Sequence, residues 1–569
     1  MNNPMNPKAL NELGDKYFYG QEGSKNIELA FTYYKQAADQ GNPVGLYNVG
    51  NYFLVKQDYR NAIDYLHKSL SSGYSKAFLA LADMALNGQG MRKSKKKAFK
   101  YTSSGAKLGD IDAINQLARF YSEGIGVSKD IKKAWEYYQQ SADKNDPEGM
   151  YRLGRLHLDT AAAKRNPEKA IQWLDKSAAS GHPNAIRQMR DLYQKPHPYY
   201  AKRSFAFLAE MVFYYDELLA KTGSIDALER VAIAYLEGTP PAKQNGEKAI
   251  EYLEMLLTSD NTLGHFGIGY SAMMGFGIPR DSSRAIKHLE IAANRGLEKA
   301  MIKLGDFYRL GISGAPDPEL AKKWYYEAAK KNSPEALVNL GLLHYRNQII
   351  NASGELAYQY FETAAKKGNM SAHYWLGILH ERGIGCLVDY SAAEKSYQKA
   401  IAGNVPGASY KYAVLLYDTA VKITSKGKAK ARAKKAIDLF RSYLKQPSRA
   451  KANEAYSCYY LALMYQQGLG ADRSPRISRY WFERSSELGL SKAKVALYQL
   501  LKVTDPVQAI SFLEQAALQQ HDPEALYELG ILTLQGTAQK SPDTVRGRQY
   551  LEASAKKQYR PAIERLTMM

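Results

Sequence analysis

Three Ser-x-x-Lys pairs occur in the 569-residue chain, Ser104–Lys107, Ser141–Lys144 and Ser491–Lys494, together with Lys221-Thr-Gly223 and Ser259-Asp-Asn261. A lysine one helical turn from a serine can accept its proton and so free the oxygen for acyl transfer. The other two triplets would then line the pocket, as in a penicillin-recognising serine site. Two features argue against that chemistry. Lys-Thr-Gly precedes Ser-Asp-Asn here, the reverse of the usual order, and both triplets fall where helix-end residues cap and turn. Ser104 and Ser141 also occupy the slot in which the recurring pattern described below places paired alanines.

Other reactive types are not assembled. The ten histidines are scattered, and no His-Glu-x-x-His spacing, Cys/His cluster or phosphate-cradling Gly-x-x-x-x-Gly-Lys-Ser/Thr loop occurs. His157, His344 and His380 take equivalent places where tyrosine is common, which reads as aromatic packing. Cys386 and Cys458, the only cysteines, cannot build a disulfide framework and read as buried thiols. No catalytic residue, metal or cofactor is expected.

Charge is the stronger signal. Seventy-eight Lys and Arg against 57 Asp and Glu leave +21, an excess that suits acidic proteins or anionic polymers. Two runs concentrate it. Arg92, Lys93, Lys95, Lys96 and Lys97 precede or open a helix. Lys422 to Lys451 holds eleven Lys/Arg against one acid, Asp438. Lys428, Lys430, Arg432, Lys434 and Lys435 of the second run, with the five of the first, are the candidate dock for an acidic protein partner. The plain alternative is a solvated helix face.

These residues ride on a repeat. Ala249, Ala285, Ala321, Ala357 and Ala393 are spaced by 36, and the same step runs through Ala62, Ala98, Ala134, Ala170 and Ala206. A fixed period of this size marks a solenoid. In one unit Ala300, Leu304-Gly305 and Tyr308, then Ala321, Trp324-Tyr325 and Ala328-Ala329, keep three- and four-residue spacing. That is helical. Gly311 to Asp317 supplies a turn, with Pro318 in the first turn of the next helix. Glycine beside Leu304 costs helix stability, about 1 kcal/mol against alanine. Close approach of two helix backbones would explain it, with Trp324 and Tyr325 filling the space between units. One helix pair cannot bury such a stripe alone and needs neighbours.

Gly124-Ile-Gly126-Val-Ser-Lys-Asp130, followed by Ala134 and Tyr137-Tyr138, resembles the signature of the Sel-one-like repeat family, relatives of the tetratricopeptide repeats. Gly275-Phe-Gly277-Ile-Pro-Arg-Asp281, Gly383-Ile-Gly385 and Gly468-Leu-Gly470 match it in register. The resemblance implies an all-α, right-handed superhelical solenoid that works as an adaptor for other proteins. It also implies a bacterial setting in envelope, polysaccharide-assembly or host-interaction complexes. About fifteen helix-turn-helix units are expected, with irregular units near 183–224 and 407–452.

The register divides the chain into an N-terminal repeat block over 1–193, an irregular helical unit and hinge over 194–224, and a central block over 225–406. A basic irregular unit over 407–452 and C-terminal repeats with a capping helix over 453–569 complete it. The hinge rests on the prolines of Gln194 to Arg203, and the basic unit on a step that stretches to Ala436 and Ser478. No apolar leader or membrane span is read, so the cytoplasm is the default, or the periplasm or outside if a leader was removed. The function expected is a non-enzymatic scaffold binding a protein partner in its concave groove. The alternatives are a binder of nucleic acid or anionic polymer through the basic runs, and the serine enzyme considered first.

Overall fold

A computed structural model describes residues 5–21, 24–159, 166–195, 203–447, 449–536 and 541–569. These fold into fifteen helical hairpins, from α1 (Pro7–Tyr19) with α2 (Ile27–Asp39) to α29 (Pro523–Gln535) with α30 (Thr544–Lys556), and then α31 (Arg560–Thr567). Odd-numbered helices come first in each hairpin. The expected all-α repeat solenoid is therefore the fold. Contacts divide it into two compact units, Met1–His288 and Leu289–Met569. Among the described residues no helix is long and apolar enough to cross a membrane.

The spaced alanines lie on the second helices. Ala62, Ala98, Ala134, Ala170, Ala249, Ala285, Ala321, Ala357, Ala393 and Ala436 are all fully buried. The small pair at the end of each second helix meets the start of the next hairpin. A methyl group built on Gly149 would stand 2.4 Å from Ser141 Oγ. The glycine of the first helix has a different reason from the one expected. A methyl group on Gly305 would stand 2.3 Å from the Tyr325 ring, and Gly14 and Gly377 stand likewise to Tyr34 and Tyr397. So Tyr325 fills the inside of its own hairpin rather than the space between units, and its hydroxyl donates to Asp306 Oδ1 at 2.8 Å.

The turn signature works through both glycines and the aspartate. Gly124 ends α7 (Ile111–Glu123) in the left-handed region, at φ 72°. Asp130 caps α8 (Ile131–Asp143), accepting from Lys133 N at 2.9 Å. Its stabilisation is of order 1 kcal/mol per cap.

The irregular units gain helix rather than loop. The α12 helix (Phe205–Lys221) has 17 residues and α24 (Lys426–Leu444) has 19, against 13 for α8. In α12 the added turn shifts the register: Ala206 is exposed, and Leu219 and Ala220 are the buried small-residue end. Ala206 is thus not the counterpart of Ala170. Pro196 and Pro198, on which the hinge expectation rests, lie outside the described residues. In the unit before the last, α28 (Pro506–Glu514) runs into a single π turn, Gln515–Gln519. The final α31 buries only Ala562, the wet outer face an end helix requires.

Candidate functional site

In the first unit, successive first helices touch one another: α1 with α3 (Pro43–Val55), α3 with α5 (Lys76–Asn87), and α5 with α7. Successive second helices stay further apart, so the first helices line the inner face over these hairpins. Side chains recur on that face at the 36-residue step. One slot holds Gln116, Arg152 and Gln188; the other holds Asp83, Arg119, Arg155 and Asp191. They stand on α5, α7, α9 (Pro147–Leu158) and α11 (Pro183–Gln194).

Two cavities open there. One, of about 380 Å³, is lined by Asn115, Gln116, Arg119, Tyr138, Glu148 and Arg152, with Asp83 at its edge. The other, of about 500 Å³, is lined by Tyr138, Arg152, Arg155 and Gln188, among others. They share Tyr138 and Arg152, and their lining together comes from four successive hairpins, a groove along the first helices. Tyr138 is buried, and that burial raises its phenol above the usual range.

The groove's charges are unequally employed. Arg152 Nε meets Glu148 Oε1 at 2.6 Å, and His182 Nε2 meets Glu148 Oε2 at 2.7 Å. Because Ala185 N–H donates to His182 Nδ1 at 3.2 Å, Nε2 carries the proton that Glu148 accepts. His182 first, then Arg152, hold the Glu148 carboxyl down at about 2. Asn115 Nδ2 donates to Asp146 at 2.8 Å, and Gln116 Nε2 to Asp83 at 3.2 Å. Arg119 and Arg155 have no carboxylate within 4.0 Å among the described residues. Each instead lies by a ring, Phe120 at 5.9 Å and Tyr151 at 5.8 Å.

The Glu148 arrangement predicts acid sensitivity. Its folded value lies below the ordinary one, so its contribution is complete above about 4.5 and is lost as pH falls through about 2. Hydrogen-exchange protection of α9 and α11 should fall across that window. Glu148→Gln should flatten the fall, and an unchanged profile in that variant would refute the assignment.

The second unit answers with aromatics. Trp375 and Tyr460, on α21 (Met370–Arg382) and α25 (Lys451–Gln467), lie 18 residues before Ala393 and Ser478, as Arg152 lies before Ala170. Both are half-buried. Trp375 packs 5.5 Å from Tyr345, and Tyr460 packs 5.0 Å from Tyr417. Asp418, next to Tyr417, has its carboxyl raised by burial and by Glu381.

The basic runs divide on inspection. Arg92, Lys93, Lys95, Lys96 and Lys97 are all exposed, the last three in the first turn of α6 (Lys95–Lys107). Lys428, Lys430 and Lys434 are exposed on α24. Arg432 is half-buried and engaged within the chain, and Lys435, though exposed, has a neighbour too. Arg432 is tied to Glu394 of α22 (Tyr390–Ala402) and donates to Thr419 Oγ1 at 3.0 Å. Lys435 donates to Tyr412 OH at 2.8 Å and covers its ring. These two hold the lengthened α24 to its neighbours.

The serine motifs are spent on structure. Ser141 is fully buried and donates to Asp146 Oδ2 at 3.0 Å, while Lys144 donates to the Gly109 carbonyl at 3.1 Å. Ser104 is one position before the paired-small slot, which Gly105 and Ala106 fill, and donates to the Lys100 carbonyl. Ser491 donates to Asp522 Oδ2 at 2.7 Å. Thr222 Oγ1 bonds the Leu219 carbonyl, and Asn261 caps α15 (Thr262–Met274). His157 and His344 are buried, His157 edge-on to Trp135 and His344 stacked on Tyr360.

The groove residues were missed because a search for motifs along the chain does not see them. Reading down the repeat, one slot at a time, would have found Arg119 and Arg155.

A family model described as Sel1 repeat matches residues 7–42, 43–74, 75–110, 111–146, 147–182, 225–258, 262–297, 298–333, 334–369, 371–405, 455–490, 497–521 and 523–559. No curated protein matches. Among solved structures, a protective antigen of uropathogenic Escherichia coli with an SLR fold is similar at 20% identity. It has a TM-score of 0.43 over 95% of this chain and 97% of that one. A Sel1 repeat protein of Oxalobacter formigenes is 22% identical, with a TM-score of 0.24 over 67% of this chain and 95% of that one.

Proposed function

The chain belongs to the Sel1 repeat family, and from that premise we propose that it is a non-enzymatic scaffold holding a partner protein on the inner face of its first helices. Solenoids of this type are typical scaffolds for protein–protein interaction. The observation that carries the reading is the division of labour within the hairpin. The repeating alanines and glycines are consumed in packing. The inner-face slots of the first unit border open cavities with polar side chains, and the matching slots of the second carry half-buried rings. Rings and arginines are the side chains that anchor interfaces.

The exposed Lys428, Lys430 and Lys434 and the Arg92–Lys97 run then serve as an electrostatic approach for an acidic partner, raising the rate of encounter more than the final affinity. A nucleic-acid reading has weaker support, because the first-unit groove carries acids among its arginines.

Affinity capture from native extract tests the proposal. The full chain should retain specific proteins that Arg119→Glu/Arg155→Glu or Trp375→Ala/Tyr460→Ala releases. Charge reversal at Lys428, Lys430 and Lys434 should weaken capture most at low salt. Equal recovery by all three variants would overturn the reading.

A further inference from the structure

We infer that the first-unit groove receives an extended segment of the partner protein bearing a single carboxylate, set against the Arg119–Arg155 pair. This rests on the scaffold reading and names what the groove would take.

Four observations lead there. First, the two guanidiniums stand at one slot on successive hairpins and have no counter-ion within 4.0 Å among the described residues, although Arg152 between them is paired. Arg119 is half-buried and Arg155 exposed, and an arginine fork matches a carboxylate or phosphate. Second, the cavities beside the pair have Tyr138 and Arg152 as common lining, so the two lie side by side, one at each arginine. Adjoining cavities on successive hairpins suit an extended chain rather than a compact ligand.

Third, Gln116 and Gln188 flank Arg152 at the neighbouring slot, one hairpin to each side. Each primary amide carries donors and an acceptor, which match the N–H and C=O of a peptide main chain. Fourth, acids are present too. Glu123 and Asp159 line the larger cavity, and Asp83 the smaller. They repel a run of acids and a phosphodiester backbone alike, so the groove favours one carboxylate amid neutral residues.

The probe is a displayed library of random 12-residue peptides, selected on the full chain. Enriched peptides should share one Asp or Glu. Their synthetic forms, followed by fluorescence anisotropy, should bind Arg119→Gln and Arg155→Gln roughly ten-fold or more weakly. Replacing the peptide's acid by its amide should cost the same, with no further loss in either variant. Arg119→Lys should restore part of the affinity, since charge returns without the fork. Unchanged thermal melts of the variants separate lost contact from lost fold.

Enriched peptides that lack an acid, or that bind both variants as tightly as the parent, would overturn the groove assignment while leaving the scaffold reading in place. Failure to enrich any peptide would overturn the groove assignment; joined to failure of the capture experiment, it would overturn both.

Discussion

Asp216→Ala should lower the stability of the first unit by about 3–5 kcal/mol, the cost of stripping one partner from a buried ion pair. Asp216 is only 5% exposed, on the irregular α12. Its Oδ1 accepts from Arg190 Nε of α11 at 2.7 Å and from Arg230 Nη2 of α13 (Ile225–Glu237) at 2.7 Å. The α12 helix therefore joins its neighbours partly by charge where a regular hairpin uses close-packed small residues. Alanine would leave Arg190, itself largely buried, with only the more exposed Asp191, 3.2 Å away, as a charged partner. Asp216→Asn keeps an acceptor but no charge, so its loss should fall between those of alanine and the parent. The readout is the urea midpoint followed by hydrogen exchange of α11, α12 and α13. The exposed pair Lys330–Glu327 gives the contrast: Glu327→Ala should leave the urea midpoint of the second unit almost unchanged. A loss at Asp216 no larger than that would show that the triad is a surface ornament of the helix and not its anchor.

What could be read from the chain follows from what packing constrains. A small residue that must let two helices meet tolerates little that is larger, so the 36-residue spacing of the alanines is visible, and where the step stretches a small buried residue, Ala436 or Ser478, still takes the place. The turn glycines and the capping aspartate are equally legible, because dihedral sign and an unpaired helix N-terminus each admit few residue types. Ala206 misled because an added helical turn moves the register while leaving an alanine in phase by chance. Tyr325 misled because a glycine-plus-tyrosine pattern is the same whether the ring enters its own hairpin or the next. The basic run at α24 was legible as composition but not as geometry. Nothing in Lys428 to Lys435 distinguishes the lysines without such a contact from the Arg432 and Lys435 that bond to Glu394 and Tyr412. Arg119 and Arg155 are the opposite case. Packing does not constrain their slots, so neighbouring repeats carry Asp83 and Asp191 there instead. A slot filled by changing residues has no motif, and its meaning emerges only when the cavity it borders is known.

Gly126→Ala and Gly124→Ala should part sharply, although their backbones are nearly identical. Both glycines sit in the left-handed region, at φ 71° and 72°, so both substitutions carry about 1–2 kcal/mol of conformational cost. Their surroundings differ. A methyl group on Gly124 would find nothing nearer than 3.5 Å. One on Gly126 would stand 2.1 Å from the Lys95 carbonyl oxygen and 2.5 Å from its carbon. That carbonyl belongs to the first turn of α6, in the preceding hairpin, and main chain cannot swing aside as a side chain can. Gly126→Ala must therefore push α6 and α8 apart, adding about 1–3 kcal/mol of overpacking strain. The same contact recurs in the second unit, where a methyl group on Gly385 would stand 2.1 Å from the Gly354 carbonyl oxygen. So Gly385→Ala should behave as Gly126→Ala does. Urea midpoints rank the three variants. Hydrogen exchange should show the Gly126→Ala loss spreading into α6, whereas the Gly124→Ala loss stays at the end of α7. Equal losses at Gly124 and Gly126, both confined to the turn, would mean that the second glycine serves only its own dihedral. The recurrent Gly-x-Gly would then be a turn requirement, with no part in setting how closely one hairpin seats on the last.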